Sequence, residues 1–363
     1  MTTKRNGEID ALRFVFAIII TCYHFNLNYN LGIFVNGYIG VEFFFVVTGF
    51  LMAAHAARMN LQSRGWSLIA DETWHYILDK TKKFYGYYLS AVLLQVVVRY
   101  LILRGEGLAA IGYRFLKSIP IFTLSFMGIY ESSGTLQVGN SWYLSAMLIG
   151  IFLLYPLLLR NYKAATQLLF PILVLFILGY LLETYQTIAN WSTISGFVRN
   201  GVLRAVAEMA LGGSLYQLSA LLTERNTGRI DWNGSGAKVL LTLLKLCCYG
   251  VVIAFAWGSL LGNSPKASIS VHALLFCALG VFLSFSKAGY CIPDSRLTRY
   301  LGKLSLPIFI YHGLIRWAAL DVLSPPISLK LYVALVVMSV VISVGLMYMM
   351  NVLAAMVRRR RKA

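Results

Sequence analysis

The chain has 363 residues, 58% hydrophobic and 13% charged, and its mean hydropathy of +0.70 excludes an ordinary water-soluble domain. The formal net charge of +18 does not point to nucleic acid, because the cations lie between and after the apolar runs, ending in Arg358, Arg359, Arg360, Arg361 and Lys362. The five cysteines, Cys22, Cys247, Cys248, Cys277 and Cys291, are odd in number and lack ligand spacing, so neither a disulfide framework nor a metal centre is expected.

In chain order, apolar runs of membrane length predict an all-α polytopic membrane protein with about ten transmembrane helices. They fall at roughly 9–30, 37–57, 84–103, 141–159, 166–183, 199–220, 238–260, 268–286, 303–321 and 330–356. The first follows Lys4 and Arg5 but is long and has no small-residue cleavage site, so it reads as a retained helix and not a secretory signal. With the amino terminus in the cytoplasm, 21 cations fall in cytoplasmic segments and 6 in outer ones, the arrangement the positive-inside rule favours; both termini are then cytoplasmic. No repeat and no linker divides the chain, which is expected to form one domain, 1–363, with a basic tail at 357–363. The cytoplasmic loop from Arg58 to Lys83 has room for a short amphipathic helix. The outer loop from Arg104 to Asn140 carries an apolar piece, Ile119 to Ile129, too short to span, and a flexible Ser132–Gly134 end.

Five cations, Arg13, Arg99, Arg204, Lys245 and Arg316, lie within spans. Ionisable groups in hydrocarbon cost roughly 2.5–3.5 kcal/mol each on insertion scales, so they face the protein interior and mark function. Arg13 and His24 are eleven residues apart, about three turns plus 20°, and so share a helix face about 16 Å apart. Glu42 enters the second span at the level of His24. Arg204 and Glu208 stand one turn apart, as do His312 and Arg316, while Trp142 opens the fourth span from outside.

These residues sit in stretches that resemble the integral-membrane acyltransferase family 3. Asp10 to Tyr29 is similar to the family's opening segment, in which an Arg or Lys, ten residues and a His are the hallmark; here these are Arg13 and His24. GYIGVEFFFVVTGF resembles the next block, with Glu42 at its acidic position. NSWYLSAMLIGIFLLYP (140–156) resembles the Trp-containing block, and LGKLSLPIFIYHGLI (301–315) the final block that contains His312. Met147 stands where an acidic residue is common, TGF replaces SGF, and Phe84-Tyr85-Gly86 lacks the usual proline.

The resemblance implies an acyltransferase, in its stand-alone form without an esterase-like domain, that moves an acyl group, commonly acetyl, from acetyl-CoA. The acceptor would be a hydroxyl of an extracytoplasmic glycan or its lipid-linked precursor, and the location the plasma (inner) membrane, multi-pass. His24 is then the candidate base or nucleophile, since imidazole does either, with Glu42 orienting its ring. Arg13, with Lys80, Lys82 and Lys83, is the candidate binder of CoA phosphates, since guanidinium suits phosphate. Trp142, Arg204, His312 and Arg316 are candidate acceptor-binding residues. Expected partners are acyl-CoA, the hydroxyl acceptor and membrane lipid, with no nucleic acid and no metal; a homo-oligomer stays open. Each candidate also has a plainer reading: a packing histidine, a snorkelling arginine, a structural Arg204–Glu208 pair, a belt tryptophan. The alternative function is a transporter or flippase for a glycan or lipid carrier, since intramembrane charges serve transport too.

Overall fold

In a computed structural model, residues 5–59, 65–125, 127, 135, 136, 138, 141–225, 234–258 and 267–360 are described; the Ser132–Gly134 stretch and residues 361–363 of the basic tail lie outside them. Helix dominates, as it must where backbone polar groups have only one another to bond. The order is α1 (Gly7–Tyr29), α2 (Ile39–Met59), α3 (Trp66–Gln95) continued by a π turn (Val96–Leu103), α4 (Leu108–Lys117), α5 (Ile119–Phe122) and α6 (Ser141–Arg160). A short helical piece (Tyr162–Ala164) and a π segment (Ala165–Leu169) run on into α7 (Phe170–Tyr185), then α8 (Asn200–Arg225), α9 (Ser235–Trp257), α10 (Ala267–Phe285), α11 (Arg296–Val322) and α12 (Leu329–Arg360). Between α7 and α8, Ile194–Ser195 pairs antiparallel with Val198–Arg199.

The capping chemistry is legible at both central helices. Asn6 accepts from the backbone of Glu8 and Ile9 at the start of α1, and Asn30 ends it in the left-handed conformation. Ser295 and Thr298 form a capping box at the start of α11.

Among the described residues, seven helical segments are long and apolar enough to cross a bilayer, not the ten expected: Ile39–Met59, Trp66–Leu103, Ser141–Arg160, Tyr162–Tyr185, Asn200–Leu222, Ser235–Trp257 and Leu329–Val357. The other three expected spans are helices too, α1, α10 and α11. In α1 and α11, buried polar groups such as His24, Asn26, Ser305 and His312 lower the apolarity. The described apolar part of α10, Ile269–Phe285, is short. The helices that carry the polar centre are thus the ones hydropathy counts least.

The region before the third span also differs from expectation. Instead of a separate amphipathic helix ahead of residue 84, one helix runs from Trp66, since no proline or glycine interrupts Ser67 to Tyr85. With the π turn it is a segment of 38 residues, about 57 Å at helical rise, roughly twice the thickness of a hydrocarbon core.

Two helix pairs set the frame. α1 and α11 run parallel, because two successive side-chain contacts between them, His24 with His312 and Asn28 with Arg316, keep the same sequence separation of 288. α2 and α8 cross at glycine. A Cβ on Gly49 would lie 1.9 Å from the carbonyl oxygen of Met209, and one on Gly212 would lie 2.1 Å from that of Val46. Small residues let backbones approach this closely in membranes. Gly49→Val is therefore expected to force the pair apart at a cost of about 1–3 kcal/mol or more. The check is thermal unfolding in detergent: a clearly lower midpoint is expected. Gly86→Ala, which would meet only the Met350 methyl at 4.0 Å, should change little. Equal behaviour of the two variants would refute the close crossing.

Candidate active site

The candidate site is built on a pair of imidazoles. His24 on α1 and His312 on α11 are buried, 8% and 0% exposed. Each ring turns back on its own helix. Nδ1 of His24 lies 2.9 Å from the carbonyl of Ile20, and Nδ1 of His312 lies 2.9 Å from that of Ile308. A carbonyl only accepts, so in the neutral rings both Nδ1 atoms carry the hydrogen. Nε2 of His312 then holds a lone pair, and it faces Nδ1 of His24 at 3.2 Å, where it accepts from the same N–H. This assignment leaves Nε2 of His24 as an unprotonated nitrogen, with no hydrogen bond to it from the described residues. His312, placed by the sequence among acceptor-binding candidates, is the hydrogen-bond partner of His24.

Glu42 does not take that role. Its carboxylate pairs with Arg204 at 2.5 Å, and both side chains are essentially inaccessible. Arg204 Nε also lies 3.7 Å from Glu208, as its one-turn spacing suggests, and an Arg204 terminal nitrogen donates to the carbonyl of Ala189. Two carboxylates thus share one guanidinium. Neither oxygen of Glu208 accepts a hydrogen bond from the described residues. Trp142 is a second departure: it is 4% exposed, stacked on Trp191 at 5.3 Å and 8°, with the Arg204 guanidinium 5.3 Å from its ring. Among the described residues Trp191 and Arg204 cover the Trp142 ring, and the half-buried Trp191 is the more exposed of the two tryptophans.

One turn further along α1 and α11 from the imidazoles, Arg316 donates twice to the side-chain oxygen of Asn28, at 2.8 and 3.1 Å, and its guanidinium lies 4.7 Å from the Trp317 ring. It stands within electrostatic reach of both His24 and His312. The Tyr23 ring meets His24 edge-on at 5.1 Å and meets Tyr38 at 6.0 Å.

At the other end of α1 the candidate donor residues separate. Arg13 pairs loosely with Asp10 at 3.8 Å and stays one-third exposed. Lys80 is half-buried with its ammonium 5.1 Å from the Tyr76 ring, and it feels Lys83 and Arg13. Arg58, Lys80 and Lys83 all act on His55, which hydrogen-bonds Tyr155 at 2.6 Å. Lys82 is apart: exposed and paired with Asp79 on its own helix. The basic cluster is therefore Arg13, Arg58, Lys80 and Lys83.

Between the two ends, the rings of Phe44, Tyr143 and Phe309 contact one another at 5.2–6.2 Å, and Phe309 reaches His312 at 6.1 Å. Sequence reading missed Asn28, Tyr23, Trp191 and Arg58 as parts of these groups. Asn28 was the one findable by spacing, being i+4 from His24 as Arg316 is i+4 from His312. Trp191 lies in a connecting segment, and no pattern ties it to Trp142.

Compared with known families, the chain matches a family model described as an acyltransferase domain, of acyltransferase type 3, over residues 6–348. No curated protein and no solved structure matches it.

Proposed function

Since the chain belongs to acyltransferase family 3 and is accordingly an acyltransferase, we propose that it carries an acyl group, acetyl by the family's habit, from CoA at the cytoplasmic face to a hydroxyl of an outer glycan or lipid-linked glycan. The membrane would be the plasma (inner) membrane, with both termini cytoplasmic, as the sorting of cations favours. The observation that carries the reading is the pair of contacts at Nδ1 of His24, which leaves Nε2 as the ring's lone pair, three turns along α1 from Arg13 and the basic cluster beside it.

The chemistry balances simply. Nε2 of His24 takes the proton of the acceptor hydroxyl as its oxygen attacks the thioester carbonyl. The C–S bond breaks, and the proton passes from the imidazolium to the CoA sulfur. His312 accepts from Nδ1–H throughout, stabilising the imidazolium without becoming charged. Arg13, Lys80, Lys83 and Arg58 face CoA phosphates, and the roughly 16 Å of helix rise from Arg13 to His24 suits an extended pantetheine arm beside the aromatic rings.

Sealed vesicles of known orientation test the reading. With radiolabelled acetyl-CoA supplied only at the cytoplasmic face and a glycan acceptor only at the other, label should move to the acceptor. Transfer confined to donor and acceptor on one side would overturn the vectorial scheme. Absence of transfer in either arrangement would overturn the assignment of substrates.

A further inference from the structure

Of the five cations placed within spans by the sequence, four sit beside a carboxylate. Arg13 has Asp10, Arg99 has Asp321, Arg204 has Glu42 and Glu208, and Lys245 has Glu8 at 2.9 Å. Arg316 is the exception among the described residues: its partners are the neutral oxygen of Asn28 and the face of Trp317. The surroundings deepen the imbalance. Arg99 lies 4.8 Å from the same Trp317 ring, and Arg104 shares Asp321 with Arg99, so the aspartate at this end of α11 is already taken by two other guanidiniums. Two polar atoms near Arg316 that are able to donate have no partner among the described residues. The Asn28 amide nitrogen and the Tyr29 hydroxyl are buried with no hydrogen-bond partner, and Tyr29, 2% exposed, lies within electrostatic reach of Arg316. A half-buried guanidinium whose acceptor is a neutral amide oxygen is costly in a membrane protein, and together with two unpartnered groups able to donate it is complementary to an anion.

We propose that Arg316, with Asn28 and Tyr29, binds a carboxylate or phosphate on the acceptor, so that the substrate class is an anionic glycan or glycophospholipid whose reacting hydroxyl lies about one helical turn, roughly 6 Å, from the charge. The distance follows from the two side-chain contacts between α1 and α11: His24 and His312 form the inner one, Asn28 and Arg316 the outer, each residue four positions beyond its inner counterpart. An acceptor held by its charge at Arg316 presents its neighbouring hydroxyl to Nε2 of His24. The inference rests on the acyl-transfer reading, but its binding component stands separately from the chemistry.

The test uses purified full-length protein in nanodiscs and two matched pairs of probes: phenyl glucuronide against phenyl glucoside, and glycerol phosphate against glycerol. Equilibrium binding is measured without CoA, and acetyl transfer with it. At least one anionic probe should bind about tenfold or more tightly than its neutral twin, the scale expected for hydrogen bonds to a charged group. Arg316→Gln should abolish that preference, Arg316→Lys should retain part of it, and His24→Ala should retain it fully while transfer is lost. Preference in binding with no transfer by the wild type would overturn the assignment of donor and acceptor in the proposed reaction and leave the anion site standing. Equal affinity for charged and neutral probes in the wild type overturns the inference even if Arg316→Gln does not fold. So does an undiminished preference in Arg316→Gln, or an equal fall in kcat for charged and neutral acceptors with binding unchanged, which would place Arg316 on the thioester oxygen instead.

Discussion

His24→Ala loses about 10²–10⁴-fold in acyl transfer, the range that a positioned general base supplies, while acyl-CoA still binds at the basic end of α1. The expectation follows from the hydrogen-bond pattern. The Ile20 carbonyl and Nε2 of His312 both draw on Nδ1–H of His24, so the free lone pair sits on Nε2, where a hydroxyl can meet it. His312→Ala should be milder, roughly 10- to 10²-fold, because the Ile20 carbonyl still fixes the tautomer and only one hydrogen bond to a developing charge is lost. Removal of His24 also frees Nε2 of His312, whose ring centroid is 5.2 Å away, so the double variant should fall below His24→Ala. The measurement is kcat for transfer, with calorimetric binding of acyl-CoA on the same correctly folded samples. Near-normal transfer by His24→Ala would remove this residue from the chemistry. A larger loss in His312→Ala than in His24→Ala would reverse the two roles.

Arg204→Leu is expected to cost stability on the order of 3–5 kcal/mol, the penalty for stranding buried charge, and to deplete folded protein in the membrane. The guanidinium is the described cation between Glu42 and Glu208, both 0% exposed, and Glu208 has no hydrogen bond of its own to fall back on. Without Arg204, two carboxylates face each other in a dry interior. The triple change Arg204→Leu, Glu42→Gln and Glu208→Gln should recover much of the loss, because replacing a whole buried ion group is far cheaper than breaking it. Detergent thermal unfolding and the yield of monodisperse protein report the outcome. A stable, well-expressed Arg204→Leu protein would show that these carboxylates have another counter-charge. A triple variant that folds yet fails to transfer would return Glu42 to the reaction, against its position here.

Much of this protein is determined by local sequence. Helical class and membrane character follow from composition and from runs of membrane length, because a chain in hydrocarbon has few other ways to satisfy its backbone. The shared face of Arg13 and His24 also needs no partner helix, since eleven residues make three turns wherever the helix sits. The Arg204–Glu208 pair is local for the same reason, and it forms. Seven spans meet hydropathy on their own terms; α1 and α11 do not, since a windowed average cannot tell a polar group facing lipid from one facing another helix, and the described apolar part of α10 is short.

Partners across helices were decided by tertiary structure alone. Equal depth made Glu42 a reasonable companion for His24, but depth leaves the rotation of α2 undetermined, and the Gly49–Gly212 crossing turns Glu42 toward Arg204. The parallel register of α1 against α11, separated by 288 residues of sequence, brings His312 to His24 and Asn28 to Arg316. No periodicity records that distance. The sequence therefore names the reactive groups and their spacing along each helix, while side-chain packing between helices decides which of them meet.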